Sequence, residues 1–217
     1  MYIEKSNIMK KNILVILFTL FAIFTSFAQT EIGSIFFQYG RNSSVGFKCT
    51  LVAGGNGTNY ENYAYNLVNQ PSYDGYTSII QFASLEQLQL FRTKLIELSK
   101  KYEEWSQVAQ QNNVTDMTKI VPIDLGIQNV LVYYGTQQVA NLKTPLKVIY
   151  RAKHNNLEIY PQNQNAVLML VIERIGTLSK LIDLMSSTNV KTALFGSTNQ
   201  DSLFNSLLSR KSGQVGL

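Results

Sequence analysis

The side chains with the greatest catalytic potential in this chain are a single histidine, His154, and a single cysteine, Cys49. A histidine base needs a nucleophile and an orienting group, and a zinc site needs several ligands at suitable spacing. Neither pattern surrounds His154, which the sequence predicts to lie in an exposed turn. Cys49 alternates with Phe47 and Leu51, a pattern that predicts a small buried residue rather than a nucleophile.

Acidic residues are scattered along the chain, and no motif connects them. A glycosidase needs two carboxyl groups that face each other across a cleft, and a calcium loop needs an Asp-x-Asp-x-Asp-Gly spacing that is absent. The sequence therefore favours a protein that is not an enzyme and uses no cofactor or metal, with a hydrolase carrying a carboxylate pair as the alternative. The candidate carboxylates are Glu61, Asp74, Asp116, Asp124, Glu158, Glu173, Asp183 and Asp201.

A stretch rich in tyrosine and asparagine, residues 60–76, is the first candidate for ligand binding. Tyrosine rings offer a large contact area at low entropy cost, and neighbouring amides form hydrogen bonds, which suits sugars or peptides. Packing of the same rings in the core or at a sheet edge is the alternative. The candidates are Tyr60, Tyr63, Tyr65, Tyr73 and Tyr76.

A group of basic residues, Lys143, Lys147, Arg151 and Lys153, is the second candidate. The first three follow one another at steps of four, so in a strand they project from one side. Such a row could bind phosphate, an anionic glycan or a membrane surface. A solvated strand face that resists aggregation is the alternative.

The first 28 residues have the features of an export signal. Residues 1–12 carry three lysines, residues 13–24 are apolar apart from Thr19, and small residues follow up to Ala28. The apolar run is shorter than the roughly 20 residues that span a bilayer. We therefore expect cleavage after Ala28, no transmembrane segment afterwards, and export to the periplasm or out of the cell. An uncleaved anchor is the alternative. The Ser26–Gln29 junction resembles those of exported proteins of Bacteroidetes-type bacteria.

The composition after cleavage is that of an ordinary globular domain. Loss of three lysines and one glutamate lowers the formal net charge from +5 to +3, which is small for a nucleic-acid-binding protein. The chain is 45% hydrophobic and 15% charged, enough to build a core. The single cysteine excludes an internal disulfide. A glycan, a peptide or an envelope component is the expected partner, and nucleic acid is disfavoured.

The central element is a buried strand, Tyr76–Phe82, that leads directly into a long helix at residues 84–111. Ser84 and Gln87 have the spacing of a capping box, and Asn112 and Asn113 mark the end of the helix. Apolar residues recur at steps of three and four, which predicts one face packed on a sheet. They are Leu88, Phe91, Leu95, Leu98, Tyr102, Trp105 and Ala109.

The remaining pattern predicts an α+β fold, an antiparallel sheet with helices packed on one face. The two helix starts, Ser84-Leu-Glu-Gln-Leu and Thr177-Leu-Ser-Lys-Leu, are similar and suggest two tandem β-β-β-β-α repeats. The predicted halves are residues 29–113 and 114–189, followed by a short amphipathic helix and tail at 190–217. This element order resembles the single-strand-binding folds of the PUR and Whirly type, which implies single-stranded nucleic acid as a second alternative ligand.

Overall fold

A computed structural model describes residues 29–38, 46–55, 63–71, 75–162 and 170–196. The predicted signal segment and the predicted C-terminal helix after residue 197 lie outside these ranges. None of the helices within them is long and apolar enough to cross a membrane.

The described residues form nine strands and three helices, and every strand pairing is antiparallel. The predicted α+β class is therefore confirmed. The strands are β1 (Gln29–Gln38), β2 (Gly46–Gly54), β3 (Ala64–Pro71), β4 (Tyr76–Phe82), β5 (Thr118–Ile120), β6 (Ile127–Tyr134), β7 (Gln137–Arg151), β8 (Asn156–Pro161) and β9 (Leu170–Ile172). The helices are α1 (Leu85–Gln111), α2 (Ile175–Leu184) and α3 (Ser187–Phe195).

One curved sheet runs through both predicted halves of the chain, in the order β1-β2-β3-β4-β6-β7-β8-β9. The pairing of β4 with β6 joins the halves, since Tyr76 faces Tyr134 and Gln81 faces Asn129 across the two strands. The long strand β7 pairs first with β6 and then, over its last residues, with β8 on one edge and β5 on the other. The second half therefore extends the sheet of the first.

Helix α1 packs on the inner face of the sheet, as its apolar stripe predicts. Full burial of one leucine or phenylalanine side chain stabilises a fold by about 1.5–3 kcal/mol, and the buried residues of this helix are Leu88, Phe91, Leu95, Leu98, Tyr102 and Ala109. At the N-terminal end, Phe91 lies 5.2 Å from the ring of Phe82. At the C-terminal end, Trp105 packs edge-on against Tyr150, with 5.8 Å between ring centroids. The helix thus connects β4 with the far end of β7.

The start of α1 confirms the predicted cap. The Ser84 hydroxyl accepts a hydrogen bond from the Gln87 amide at 3.3 Å, and the Gln87 side chain accepts one from the Ala83 amide at 2.9 Å. The end is also as predicted, since Asn112 caps the helix and Asn113 has a positive φ of 51°.

The second helix begins differently from the first, and the predicted cap at Thr177 is wrong. Helix α2 starts at Ile175 and is preceded by Arg174, which makes no side-chain capping bond. The Thr177 amide instead bonds to the Arg174 carbonyl inside the first turn. Strand β9 ends at Ile172 and the helix begins at Ile175, two residues before Thr177. The two-copy repeat accordingly remains a prediction.

Helix α2 packs against α1, β1 and β9, and helix α3 packs against α2 and β1. Two side chains of α1 hold α2 in place: Gln89 donates to the Met185 carbonyl at 2.7 Å, and Arg92 donates to the Ile182 carbonyl at 2.8 Å. Gly33 on β1 allows Leu184 to approach closely, since a Cβ at that position would lie 2.8 Å from the leucine methyl.

Candidate functional site

A row of polar side chains crosses the outer face of the sheet, on the side opposite the core. Asn66 on β3 faces Gln81 on β4, Gln81 faces Asn129 on β6, and Asn129 faces Lys143 on β7. Neighbouring strands are about 4.8 Å apart, so this row spans about 14 Å. The Gln81 amide donates a hydrogen bond to Asn66 at 3.3 Å. We call these four residues the amide row.

The amide row reaches a groove of about 510 Å³ at the end of the sheet where β4 leads into α1 and the preceding loop leads into β6. We call this space the amide groove. Three members of the row, together with two aliphatic residues and one carboxylate, supply the chemically informative part of its lining. They are Gln81, Asn129, Lys143, Leu90, Ile127 and Asp124.

The two aliphatic residues of the groove are mostly exposed. The exposed fraction is 63% for Leu90 and 64% for Ile127, whereas Phe91 and Leu125 at the same groove are buried. A single exposed aliphatic side chain is ordinary on a protein surface. Two of them beside a row of amides provide apolar contact and hydrogen bonding in one place, which is the usual make-up of a binding site.

The loop that forms one wall of the groove is held by its own side chains. The Asp124 carboxylate accepts a hydrogen bond from the Gly126 amide at 2.8 Å, and the Gln128 side chain donates to the Leu125 carbonyl at 2.7 Å. Gly126 has a φ of +77°, a conformation that favours glycine. The Asp124 carboxylate therefore already accepts a hydrogen bond within this turn.

The structure divides the predicted basic row rather than presenting it as one patch. Lys143 is exposed at the groove, whereas Arg151 lies eight residues further along β7, about 26 Å away. Arg151 donates to the Glu158 carboxylate at 2.8 Å, and this bond raises the pKa of the guanidinium. Lys147 is partly buried opposite Tyr160, and Lys153 is exposed in the turn after β7.

The structure also divides the predicted tyrosine surface. Tyr63 and Tyr65 are core residues, so the expectation that they meet an external ligand is corrected in favour of the packing alternative. Tyr65 is 0% exposed because it faces Phe82 across β3 and β4 on the inner side, and burial raises its pKa to about 12. Tyr60 and Tyr73 lie outside the described residues.

Tyr76 is the exposed member of the tyrosine set. It lies 45% exposed at the end of β4 opposite to the groove, beside Tyr134, which is 56% exposed. The two ring centroids are 5.0 Å apart. We call this pair the aromatic rim. It is the part of the first predicted ligand surface that the described structure keeps accessible.

His154 and Cys49 lie in different surroundings, and the candidate carboxylates Glu61, Asp74 and Asp201 lie outside the described residues. His154 is exposed in the turn after β7, and Cys49 is fully buried, where desolvation raises the pKa of its thiol. Glu158 accepts hydrogen bonds from Arg151 and from the Tyr160 hydroxyl, both at 2.8 Å. Within the described ranges, no group of three or more His, Cys, Asp or Glu side chains could hold a metal ion.

Most of the groove was not identifiable from the sequence. Of its characteristic residues, Lys143 belongs to the predicted basic row and Asp124 to the candidate carboxylates. Strand alternation places Gln81 and Asn129 on an outer face, but nothing in the local pattern shows that β4 pairs with β6.

No protein-family model, curated protein or solved structure matches the chain.

Proposed function

We propose that this protein is an exported, non-catalytic binding protein whose amide groove holds an extended peptide segment. The observation that carries the proposal is the meeting of the amide row with Leu90 and Ile127 in one groove. The export signal predicted for residues 1–28 supports a role outside the cytoplasm.

The amide row suits the backbone of a peptide. Each side-chain amide has both donors and an acceptor, so it can pair with a backbone C=O or N–H group. An extended chain advances about 3.3 Å per residue, so a row of about 14 Å is matched by about four residues. Asn66 and Gln81 are half-buried and Asn129 is exposed, which leaves their polar ends within reach of a ligand.

The aliphatic residues favour a peptide over a glycan. Sugar-binding sites commonly use an exposed aromatic ring, against which a sugar face can stack. The ring at the amide groove, Phe91, is only 1% exposed and belongs to the core. Leu90 and Ile127 instead offer flexible apolar contacts of the kind that peptide side chains use.

The test is a selection of random linear peptides on the purified protein, with a panel of soluble oligosaccharides in parallel. We expect peptides to bind, and the double variant Gln81→Ala, Asn129→Ala to bind them about tenfold more weakly, because two hydrogen-bonding groups are lost. Gln70→Ala is the matched control, since Gln70 is an exposed amide near the other end of β3.

Two results would contradict the proposal. One is binding of oligosaccharides but not of peptides. The other is peptide binding that the double variant at Gln81 and Asn129 leaves unchanged. Circular dichroism of each variant shows whether the fold is retained, so that a loss of binding can be assigned to the groove.

A further inference from the structure

Charge compensation differs among the three cations on the outer face of β7. Arg151 forms an ion pair with Glu158 and is 38% exposed, and Lys147 is partly buried opposite Tyr160. Lys143 is exposed, lines the amide groove, and forms no ion pair within the described part of the chain. The one cation of this row that reaches the groove thus keeps its charge available to a ligand.

The position of Lys143 in the strand register determines which end of a bound peptide meets its charge. It is the terminal member of the amide row, after Asn66, Gln81 and Asn129. A peptide backbone that runs along the row from Asn66 therefore reaches the ammonium group last. A carboxylate is the group at the end of a peptide that a lysine binds most strongly.

The groove next to Lys143 is aliphatic. Ile127 and Asn129 lie on the same face of β6, two residues apart, so Ile127 stands diagonally across from Lys143. Leu90 reaches the groove from α1. The Asp124 carboxylate also lines the groove, where the Gly126 amide donates a hydrogen bond to it.

We propose that the amide groove recognises the C-terminus of a peptide, with the terminal carboxylate on Lys143 and an aliphatic last side chain between Leu90 and Ile127. This inference rests on the proposed function and makes it specific. Complementary charge and apolar contact select the end of a chain, whereas the amide row binds the residues before it.

The experiment uses three fluorescent pools of random hexapeptides, measured by anisotropy on the purified protein. One pool ends in leucine with a free carboxylate, the second is the same pool with a C-terminal amide, and the third ends in aspartate. We expect the free-acid leucine pool to bind at least about tenfold more tightly than the other two. The amidated pool loses the charge-assisted hydrogen bond to Lys143, and the aspartate pool loses the apolar contact with Leu90 and Ile127.

Three substitutions assign this preference to the lysine. Lys143→Gln should bring the binding of the free-acid pool down to that of the amidated pool, and Lys143→Arg should restore the difference. Lys48→Gln is the matched control, since Lys48 is an exposed lysine on β2 that does not line the groove. The preference of the native protein should also shrink as salt is raised from about 0.05 to 0.5 M, because added ions screen the interaction.

The outcomes separate this inference from the proposed function. Equal binding of the free-acid and amidated pools, with loss in the double variant at Gln81 and Asn129, overturns recognition of a C-terminus and leaves peptide binding standing. A preference that persists in Lys143→Gln overturns the role of the lysine. Binding of polygalacturonate in place of every peptide pool overturns both.

Discussion

The aromatic rim and the amide groove lie at opposite ends of the same two paired strands, β4 and β6. At the rim, Tyr76 and Tyr134 contact each other, and the Gly135 amide bonds to the Gly75 carbonyl at 3.1 Å. At the groove, amide, aliphatic and cationic side chains from four elements converge. The rim thus joins two groups of one kind, whereas the groove combines the different kinds of contact that a specific ligand requires.

The largest expected difference between these regions is in stability. Phe91→Ala removes a buried ring at the groove and leaves a cavity beside Phe82, so we expect the free energy of unfolding to fall by about 3–5 kcal/mol. Tyr134→Ala at the rim should lower it by less than about 1 kcal/mol, because the ring is mostly exposed. Urea denaturation measures both. Equal losses would mean that the rim is as much a part of the core as the groove.

A second difference concerns the tyrosines and alkaline pH. Burial raises the pKa of Tyr65 to about 12, whereas an unfolded tyrosine has a pKa of about 10. Between pH 10 and 12 the unfolded state therefore loses a proton that the folded state keeps, and stability should fall by about 2 kcal/mol. Tyr160, whose pKa is about 12 through burial and its bond to Glu158, adds to this loss. Denaturation at several pH values tests it, and stability that stays constant up to pH 12 would contradict it.

A third prediction compares the two surfaces as binding sites. Replacing Leu90 and Ile127 together by serine should weaken binding of the leucine-ending peptide pool by about tenfold, since both apolar contacts are lost. Replacing Tyr76 and Tyr134 together by alanine should leave that affinity within about twofold, as the rim lies at the other end of the strands. Anisotropy titrations measure both double variants. A larger loss of affinity in the Tyr76 and Tyr134 double variant than in the Leu90 and Ile127 double variant would place the binding site at the rim.

The smallest expected effect distinguishes Tyr65 from the tyrosines of the rim. The Tyr65 hydroxyl is buried and has no hydrogen-bond partner in the described structure, and an unsatisfied polar group of this kind destabilises by about 1–3 kcal/mol. Tyr65→Phe should therefore raise the unfolding free energy by about 1 kcal/mol without changing peptide affinity. Loss of stability in this variant would show that the hydroxyl has a structural role.

Local patterns predicted much of the fold. The alternation around Cys49 predicted β2, and the capping residues with the apolar period predicted α1 almost to its ends. The first part of β7 was missed, because its residues are mostly exposed and polar and show no clear alternation. The predicted start of α2 was wrong. Thr177 has the type and spacing of a capping residue, but the helix already begins at Ile175, directly after Arg174.

The candidate site was far less predictable than the elements that carry it. The tyrosine stretch indicated a ligand surface, but the structure buries Tyr63 and Tyr65 in the core. The basic row indicated Lys143 for its charge, but compensation by Glu158 is what sets it apart from Arg151. Burial and charge compensation both depend on residues distant in sequence. Neither could therefore be predicted from the basic row or from the tyrosine stretch alone.

The sequence by itself determined the α+β class, the strand-to-helix unit at residues 76–111 and the absence of a local catalytic motif. These features follow from the interactions of each residue with its near neighbours along the chain. Only the tertiary structure placed Gln81 next to Asn129, because these two residues belong to strands separated by the whole of α1. The register of strands so distant in sequence is fixed by the packing of the core, and that register assembles the amide row.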